Sequence, residues 1–491
     1  LLPAITALGF VLRLWHLNSS INVLVDELLF TNGLMKFWYR PDLHVLDEIE
    51  GNAPFSQVFT YVQAWSVEIL GRDFLGLRFP SVIIGTLTIP FVFMLTKNLF
   101  DRRTAYIAAF LMATFPPHVH FSRLGLNNIT DALFGTASLA FLVRAMMQHR
   151  TRDYIFAGIM LGLTQYFHES GRLFFPPLVI VWLSIGIFLW HPVQVSWKGI
   201  LLLLLTTVIV AMPIYYTIIG MDRSLTRRFD VSGDNRSPFA RFTEDQERDD
   251  YLNYHLKRAF QLYVNIPDDA RYYLGTEPLV LAFAVPFLLL GFFFLSWHWQ
   301  HPAFLPVMWV IAVAVANSFL VASAHSPRFI ASFPVLVLLT AAGLRYSVPL
   351  LTRHSNRLIT LLTVLIAAAQ VIYYFGPHLD AFNQQIRLEV DSSDAVLRSL
   401  DFPPGTYIHL VGEFNGQYFG NMLGFFVDDL YLEVVPEEFF TTDYVDSLPL
   451  NADHAFYLPP DDRTHRDMLR RYFTLDPPQY TDNPDVPENR A

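Results

Sequence analysis

Apolar residues in this chain come in blocks of about 17–22 positions separated by shorter polar segments, the length needed to cross a hydrocarbon core of about 30 Å. The blocks predict helices near 1–17, 80–97, 103–119, 128–146, 153–168, 173–190, 199–219, 277–296, 302–322, 328–347 and 356–375, eleven spans in all. Within 18–79 the pattern changes. Phe55, Val58, Phe59, Val62, Trp65 and Ile69 mark one apolar face at helical spacing with few charges nearby, the signature of a helix lying in the membrane interface. Residues 28–39 could form a second such helix. Beyond 375 the long apolar blocks stop. Short runs at 407–411, 430–435 and 455–458 predict strands, and 394–400 and 465–473 predict helices, which together make a small α/β unit. The expected architecture is an all-α polytopic membrane core over 1–375, an extracytoplasmic α/β domain over 376–476, and a disordered tail over 477–491.

Loop charge orients the spans. One alternate set of loops holds Lys97, Arg102, Arg103, Arg144, Arg150, Arg152, Lys198, Arg345, Arg353 and Arg357 against the acids Asp101 and Asp153. The positive-inside rule makes that set cytoplasmic. The N-terminus is then inside, and the loops 18–79 and 220–276 and the C-terminal domain are outside. Residues 376–491 carry 21 acidic residues against 7 arginines and no lysine, a net charge of −14 within a chain total of −10. The chain opens within an apolar run, Leu1–Phe10, with no initiator Met and no basic stretch, which reads as a first helix that has lost its start rather than a signal peptide. There is no cysteine, which excludes disulfides, thiolate chemistry and Cys-ligated zinc. A bacterial inner-membrane protein is the expectation.

Candidate chemistry gathers on the outer side. Asp26 and Glu27 follow the first helix. Such a pair is consistent with an ordinary acidic outer loop, or with one carboxylate that deprotonates an acceptor hydroxyl or amine. Arg13, Arg78, Arg123, Arg172 and Arg328 recur at predicted outer helix ends, where positive charge is not favoured. They could pair with Asp26, Glu27 or Glu169, or they could clamp a phosphate through bidentate bonds, with Arg172 and Arg328 the first choices. Asn128 and Asp131 have the spacing of a helix-capping box. Tyr166, His168 and Glu169 close the fifth helix, and His168 and Glu169 could assist proton transfer or, with His118 and His120, hold a metal. No phosphate-binding Gly-rich loop, GxSxG or HExxH occurs, which removes support for nucleotide hydrolysis and the common hydrolases.

Taken in order, several short motifs resemble the polyprenyl-phosphate-sugar-dependent glycosyltransferases of GT-C type, nearest the dolichyl-phosphate-mannose protein mannosyltransferases and the aminoarabinose lipid A transferases. Leu12-Arg13-Leu14 with Val25-Asp26-Glu27 resembles their RL…DE opening, and Asn52-Ala53-Pro54-Phe55 their Pro-hydrophobic turn. Leu77-Arg78-Phe79-Pro80-Ser81 with Gly85, Phe121-Ser122-Arg123, Gly162 to Pro176 with Tyr166 and Arg172, and Pro327-Arg328-Phe329 with Pro334 follow at matching positions. The resemblance covers roughly 1–375 and is strongest over 10–180. It implies Asp26 as catalytic base with Glu27 beside it, and Arg78, Arg123, Arg172 and Arg328 on the donor phosphate. Asn128, Asp131, Tyr166, His168 and Glu169 would then contact acceptor or sugar.

Relatives often carry an aspartate where this chain has Asn128. The implied partners are a polyprenyl-phosphate sugar, a protein, lipid or glycan acceptor, and the bilayer, with no nucleic acid. No cofactor is assigned, and a divalent metal is left open. The rival readings are a non-catalytic scaffold of the same fold and a lipid-phosphate transporter.

Overall fold

A computed structural model of the protein describes residues 1–39, 44–46, 56–189, 196–220, 245–268, 270–318, 324–350, 354–412, 422–427, 429–483, 486 and 488. Asn52-Ala53-Pro54-Phe55 and part of the tail lie outside the described residues. The helices are α1 (Leu2–Leu14), α2 (Val25–Tyr39), α3 (Val58–Leu70), α4 (Phe74–Leu99), α5 (Arg102–Thr114), α6 (Pro116–Phe121), α7 (Thr130–Gln148), α8 (Thr151–Leu163), α9 (Glu169–Leu189) and α10 (Trp197–Gly220). They continue with α11 (Asp245–Val264), α12 (Val285–Trp297), α13 (Leu305–Ser318), α14 (Phe333–Ser347), α15 (Ser355–Tyr373), α16 (Leu379–Gln385) and α17 (Arg387–Ser399).

A helix lies in each of the eleven predicted segments. Among the described residues, six stretches are long and apolar enough to cross a membrane: Phe74–Leu99, Asn127–Gln148, Glu169–Phe188, Trp197–Gly220, Ile330–Leu350 and Ser355–Gln385. Leu2–Leu14, Val285–Trp297 and Pro302–Ser318 are shorter and apolar. The helices α5 and α8 have 13 residues each, about 20 Å at 1.5 Å per residue, less than a full bilayer core. The predicted helix 103–119 is in fact two, because Phe115 precedes Pro116-Pro117 and takes an extended conformation that ends α5. Asp73 starts α4 six residues before the predicted position by accepting from Gly76 N at 2.7 Å.

Large side chains face outward along the long helices. On α10 Leu201, Leu204, Leu205, Val208, Ile209 and Met212 are all more than half exposed, an apolar surface suited to lipid and costly in water. The chain is a multi-pass membrane protein.

The helix α3 exposes part of the predicted apolar face, Val62, Trp65 and Ile69, but buries Phe59. Tyr61, Val62, Trp65 and Ile69 form its outer stripe, with Trp65 61% and Ile69 79% exposed, while the polar Thr60, Gln63 and Ser66 point inward. Gln63 Nε2 donates to the carbonyls of Leu77 and Gly125 at 3.0 Å each. Apolar outside and polar inside is stable for a helix whose outer face meets lipid tails.

The C-terminal strands are β1 (Tyr407–Val411), β2 (Tyr431–Val435) and β3 (His454–Tyr457), all parallel in the order β2-β1-β3. Further helices of this region are α18 (Thr442–Asp446) and α19 (Arg463–Leu469). Alternation along β1 divides the domain's contacts. Ile408 and Leu410 join a buried cluster with Leu28 and Leu34 of α2, Ala64 and Val67 of α3, and Phe74. Val411 lies in a separate cluster with Phe440, Val445 and Leu469. The two roofing helices are therefore held between the bundle and the sheet, with Trp38 stacked on Phe425 at 6.2 Å.

Candidate functional site

The ends of α1, α5 and α8 and the starts of α2, α4, α7 and α9 are joined by hydrogen bonds at one pole of the bundle. A helix C-terminus leaves carbonyl oxygens without intrahelical partners, and a nearby cation satisfies them. Arg13 donates from Nη1 to Ala113 O at 3.1 Å and from Nη2 to Met112 O at 3.3 Å, in the last turn of α5, and its Nη2 also reaches His118 Nδ1 at 2.8 Å. Arg123 Nη1 donates to Leu12 O at 3.1 Å and Trp15 O at 2.7 Å at the end of α1, and its Nη2 donates to Ser20 Oγ. Both guanidinium groups are buried. These two rim arginines bond carbonyls at helix ends, and Arg123 Nε is buried without a hydrogen-bond partner.

The two acids of the Asp26-Glu27 pair differ. Glu27 is fully buried. Its Oε1 accepts from Arg78 Nε at 2.8 Å and Gly125 N at 2.6 Å, and its Oε2 accepts from Arg78 Nη2 at 2.9 Å and Leu24 N at 3.1 Å. Four bonds fill the acceptor capacity of a carboxylate. Arg78 spends its Nη1 on Leu17 O at 3.0 Å and Ile21 O at 3.2 Å. Together the pair ties the start of α2 to α4, the 15–24 loop and the Gly125 turn. Asp26, one residue earlier, is half-buried and its Oδ2 accepts from the Tyr272 hydroxyl.

A second cluster joins α7 to α9. The expected capping box does not form: α7 begins at Thr130 after a 3-10 turn over Asn127–Ile129, and neither segment has a side-chain cap. Asp131 instead reaches across, its Oδ2 accepting from Ser170 Oγ at 2.5 Å and His168 Nδ1 at 2.8 Å. Asn127 Nδ2 donates to Phe167 O at 2.7 Å. Tyr166 is turned away toward α10, its hydroxyl donating to Val210 O at 2.6 Å. Arg172 Nε and Nη2 hold Gln165 O at 3.3 and 2.9 Å.

Three buried polar atoms here have no hydrogen-bond partner: Asn128 Oδ1, Asp131 Oδ1 and Arg172 Nη1. Buried groups are nearly always satisfied, so orphans on the start of α7, the turn before it and the first turn of α9 mark places where another molecule can supply the partner. Glu169 is half-buried beside them and has partners of its own.

Arg328 is half-buried on the 3-10 turn Ser326–Arg328, where Asn317 Nδ2 reaches its carbonyl at 3.4 Å. Asp268 pins this turn to the 270–273 segment, accepting from Ser326 N and Ala270 N at 3.1 Å each and from the Ser326 hydroxyl. Burial pushes the Tyr273 phenol well above its usual range. The histidines weighed as metal ligands do not converge as a set. His118 is held by Arg13, and His168 by Asp131 and Ser170. His120 bonds Tyr272 O at 2.7 Å and His378 at 3.2 Å. Among the described residues, a group with metal-ligand spacing is Glu437, Asp462 and His465, with ligand atoms within 4.8 Å of one another, on the C-terminal domain.

Sequence reasoning missed Tyr272, Asp268 and His378. The first two stand in Ile266-Pro267-Asp268-Asp269-Ala270-Arg271-Tyr272-Tyr273, a dense polar and aromatic run immediately before a span, which was the available signal.

Residues 54–216 match the sequence model of the family described as dolichyl-phosphate-mannose-protein mannosyltransferase. No curated protein matches the chain. Among solved structures, ArnT from Cupriavidus metallidurans in the apo state superposes with a TM-score of 0.57 at 14% identity, covering 95% of this chain and 94% of that one. The same protein bound to undecaprenyl phosphate gives 0.55 at 15%, with the same coverage. The Archaeoglobus fulgidus oligosaccharyltransferase in complex with zinc and sulfate gives 0.50 at 16%, covering 89% of this chain, and this chain spans 62% of its length. The chain has the ArnT fold along almost its whole length.

Proposed function

We propose that the protein is a membrane glycosyltransferase that moves a sugar from a polyprenyl-phosphate carrier to an acceptor, with Asp26 as the base. The ArnT fold and the mannosyltransferase match over 54–216 support the class. ArnT has been solved with undecaprenyl phosphate, which makes a polyprenyl phosphate the natural donor carrier for this chain.

One observation carries the assignment of the base: Arg78 and two backbone amides use the lone pairs of Glu27 in full burial, whereas Asp26 is half-buried and accepts from the Tyr272 hydroxyl on Oδ2. In this reading the acceptor hydroxyl or amine gives its proton to Asp26 as its oxygen or nitrogen attacks C1 of the sugar. The bond from C1 to the phosphate oxygen breaks on the opposite face, which inverts the anomeric centre through an oxocarbenium-like transition state. Arg172 has an unpartnered Nη1 and Arg328 sits on a turn braced by Asp268. These two arginines take the charge that develops on the leaving polyprenyl phosphate. Asp131, His168 and Asn128 line the acceptor or sugar side. Reaction at the extracytoplasmic face of a bacterial inner membrane needs no nucleotide.

The test uses the purified chain in liposomes with a panel of undecaprenyl-phosphate sugars and a crude envelope extract as acceptor source. Release of undecaprenyl phosphate by wild type, reduced at least about 100-fold in Asp26→Asn, is the expected result. Equal release from both removes Asp26 from the mechanism. Release from neither favours the scaffold reading.

A further inference from the structure

Tyr272 is tied into the bundle at both ends of its residue. Its hydroxyl donates to Asp26 Oδ2, and its backbone carbonyl lies 2.7 Å from His120 Nε2. A carbonyl only accepts, so Nε2 of His120 carries the proton and Nδ1 offers a lone pair. That lone pair accepts from His378 Nε2 at 3.2 Å. His378 closes the turn Tyr374–His378, where Gly376 leaves helical geometry at φ −115° and ψ −106° beside Pro377. The kink at the end of α15 thus aims one histidine at a second on α6, which holds the tyrosine that holds Asp26 on α2.

The neighbouring residues brace the same segment. Asp268 fixes Ala270 to the Ser326 turn, and the buried Tyr273 ring lies 4.2 Å from His378 and 5.3 Å from His120 between centroids. His120 and His378 are fully buried, whereas Tyr272 is half-buried, so the rigid part lies behind the tyrosine and its hydroxyl faces the site. Of the neighbouring charged groups, Glu27 is closed on Arg78 and Arg271 is exposed.

We propose that Tyr272 is a positioning residue for Asp26, with His120 anchoring its backbone, and that the pair fixes both the orientation and the proton affinity of the carboxylate. The inference rests on the reading of Asp26 as the base. A carboxylate turns about χ2; a charge-assisted bond on Oδ2 restricts that rotation and so sets the direction in which the group meets the acceptor proton. The same bond stabilises the ionised form. Tyr272 itself exchanges no bond in the reaction.

Two readouts test it on the full-length protein in liposomes. The first is an infrared pH titration of the carboxyl C=O band that disappears in Asp26→Asn. In Tyr272→Phe the midpoint of that band is expected to rise by about one pH unit, a tenfold change in proton affinity. His120→Ala should move it the same way, and His120→Asn, which keeps an N–H for the carbonyl, should restore it. The second readout is turnover of whichever undecaprenyl-phosphate sugar the wild type consumes. Tyr272→Phe is expected to lower kcat at least about tenfold while KM for the donor stays within about twofold.

An unmoved midpoint in a folded Tyr272→Phe protein overturns the proposal, whatever its turnover. A shifted midpoint in a protein that consumes no donor supports the Tyr272–Asp26 coupling and counts against glycosyl transfer.

Discussion

Glu27 takes both arms of the Arg78 guanidinium, at 2.8 and 2.9 Å, with both side chains wholly shielded from solvent. A buried ion pair contributes little net stability against an apolar pair of the same volume, but removing one partner strands a charge. Glu27→Gln and Arg78→Ala are each expected to destabilise the protein by about 3–5 kcal/mol. Glu27→Leu combined with Arg78→Leu should cost less than either single change. Denaturation in mixed micelles checks this, and Asp26→Asn should leave the midpoint nearly unchanged.

Arg172 and Arg123 should separate function from structure. Arg172 bonds the Gln165 carbonyl seven residues earlier, whereas Arg123 ties the end of α1 and the Ser20 hydroxyl to its own turn. Arg172→Ala should weaken undecaprenyl-phosphate binding by roughly 10-fold or more, the loss of one charge-assisted bond. Arg123→Ala should leave binding per folded molecule unchanged and lower the thermal midpoint. Ligand-binding isotherms and melts on the same preparations decide both.

Acid should loosen the C-terminal sheet. Burial, aided by the charge of neighbouring His454, holds His409 down to about 4. Its Nδ1 faces the Tyr444 hydroxyl at 2.7 Å and its Nε2 faces His454 Nδ1 at 3.0 Å. An unfolded histidine takes up its proton near pH 6.5. The unfolded chain therefore binds more protons between about pH 6.5 and 4, so this contribution is complete above that window and is lost as pH falls through it. Hydrogen exchange at Tyr407–Val411, corrected for intrinsic rates, should accelerate across that range. His409→Asn should flatten the dependence.

The absence of cysteine makes the membrane orientation directly measurable. Thr151 and Ser447 are both exposed. In intact bacterial cells, an impermeant maleimide should label Ser447→Cys from outside and Thr151→Cys only after lysis. Labelling of Thr151→Cys first would invert the proposed topology.

Much of this protein is written in its pattern of side chains. The period and length of the apolar blocks placed a helix in each predicted segment, because a lipid-facing helix must be apolar over its exposed surface and satisfy its own backbone. Val62, Trp65 and Ile69 of the α3 face and the three short strands were legible for the same reason: burial alternates with the geometric period of the element. The order of short motifs pointed to the fold that the superposition on ArnT then displayed.

What the sequence left open was the division of labour among like residues. Asp26 and Glu27 are adjacent and chemically similar, yet one is saturated by Arg78, Gly125 and Leu24 and the other meets Tyr272 from a segment 246 positions away. Arg13 and Arg123 reach carbonyls on distant helices while Arg172 bonds the nearby Gln165 carbonyl, a difference decided by which carbonyls the folded chain brings within 3.5 Å. Asp131 left its expected cap for His168 and Ser170 because α7 and α9 start side by side. Hydrophobic burial is a local property that one-dimensional pattern encodes. Hydrogen-bond partnership between distant loops depends on their final positions, and only the tertiary structure sets those.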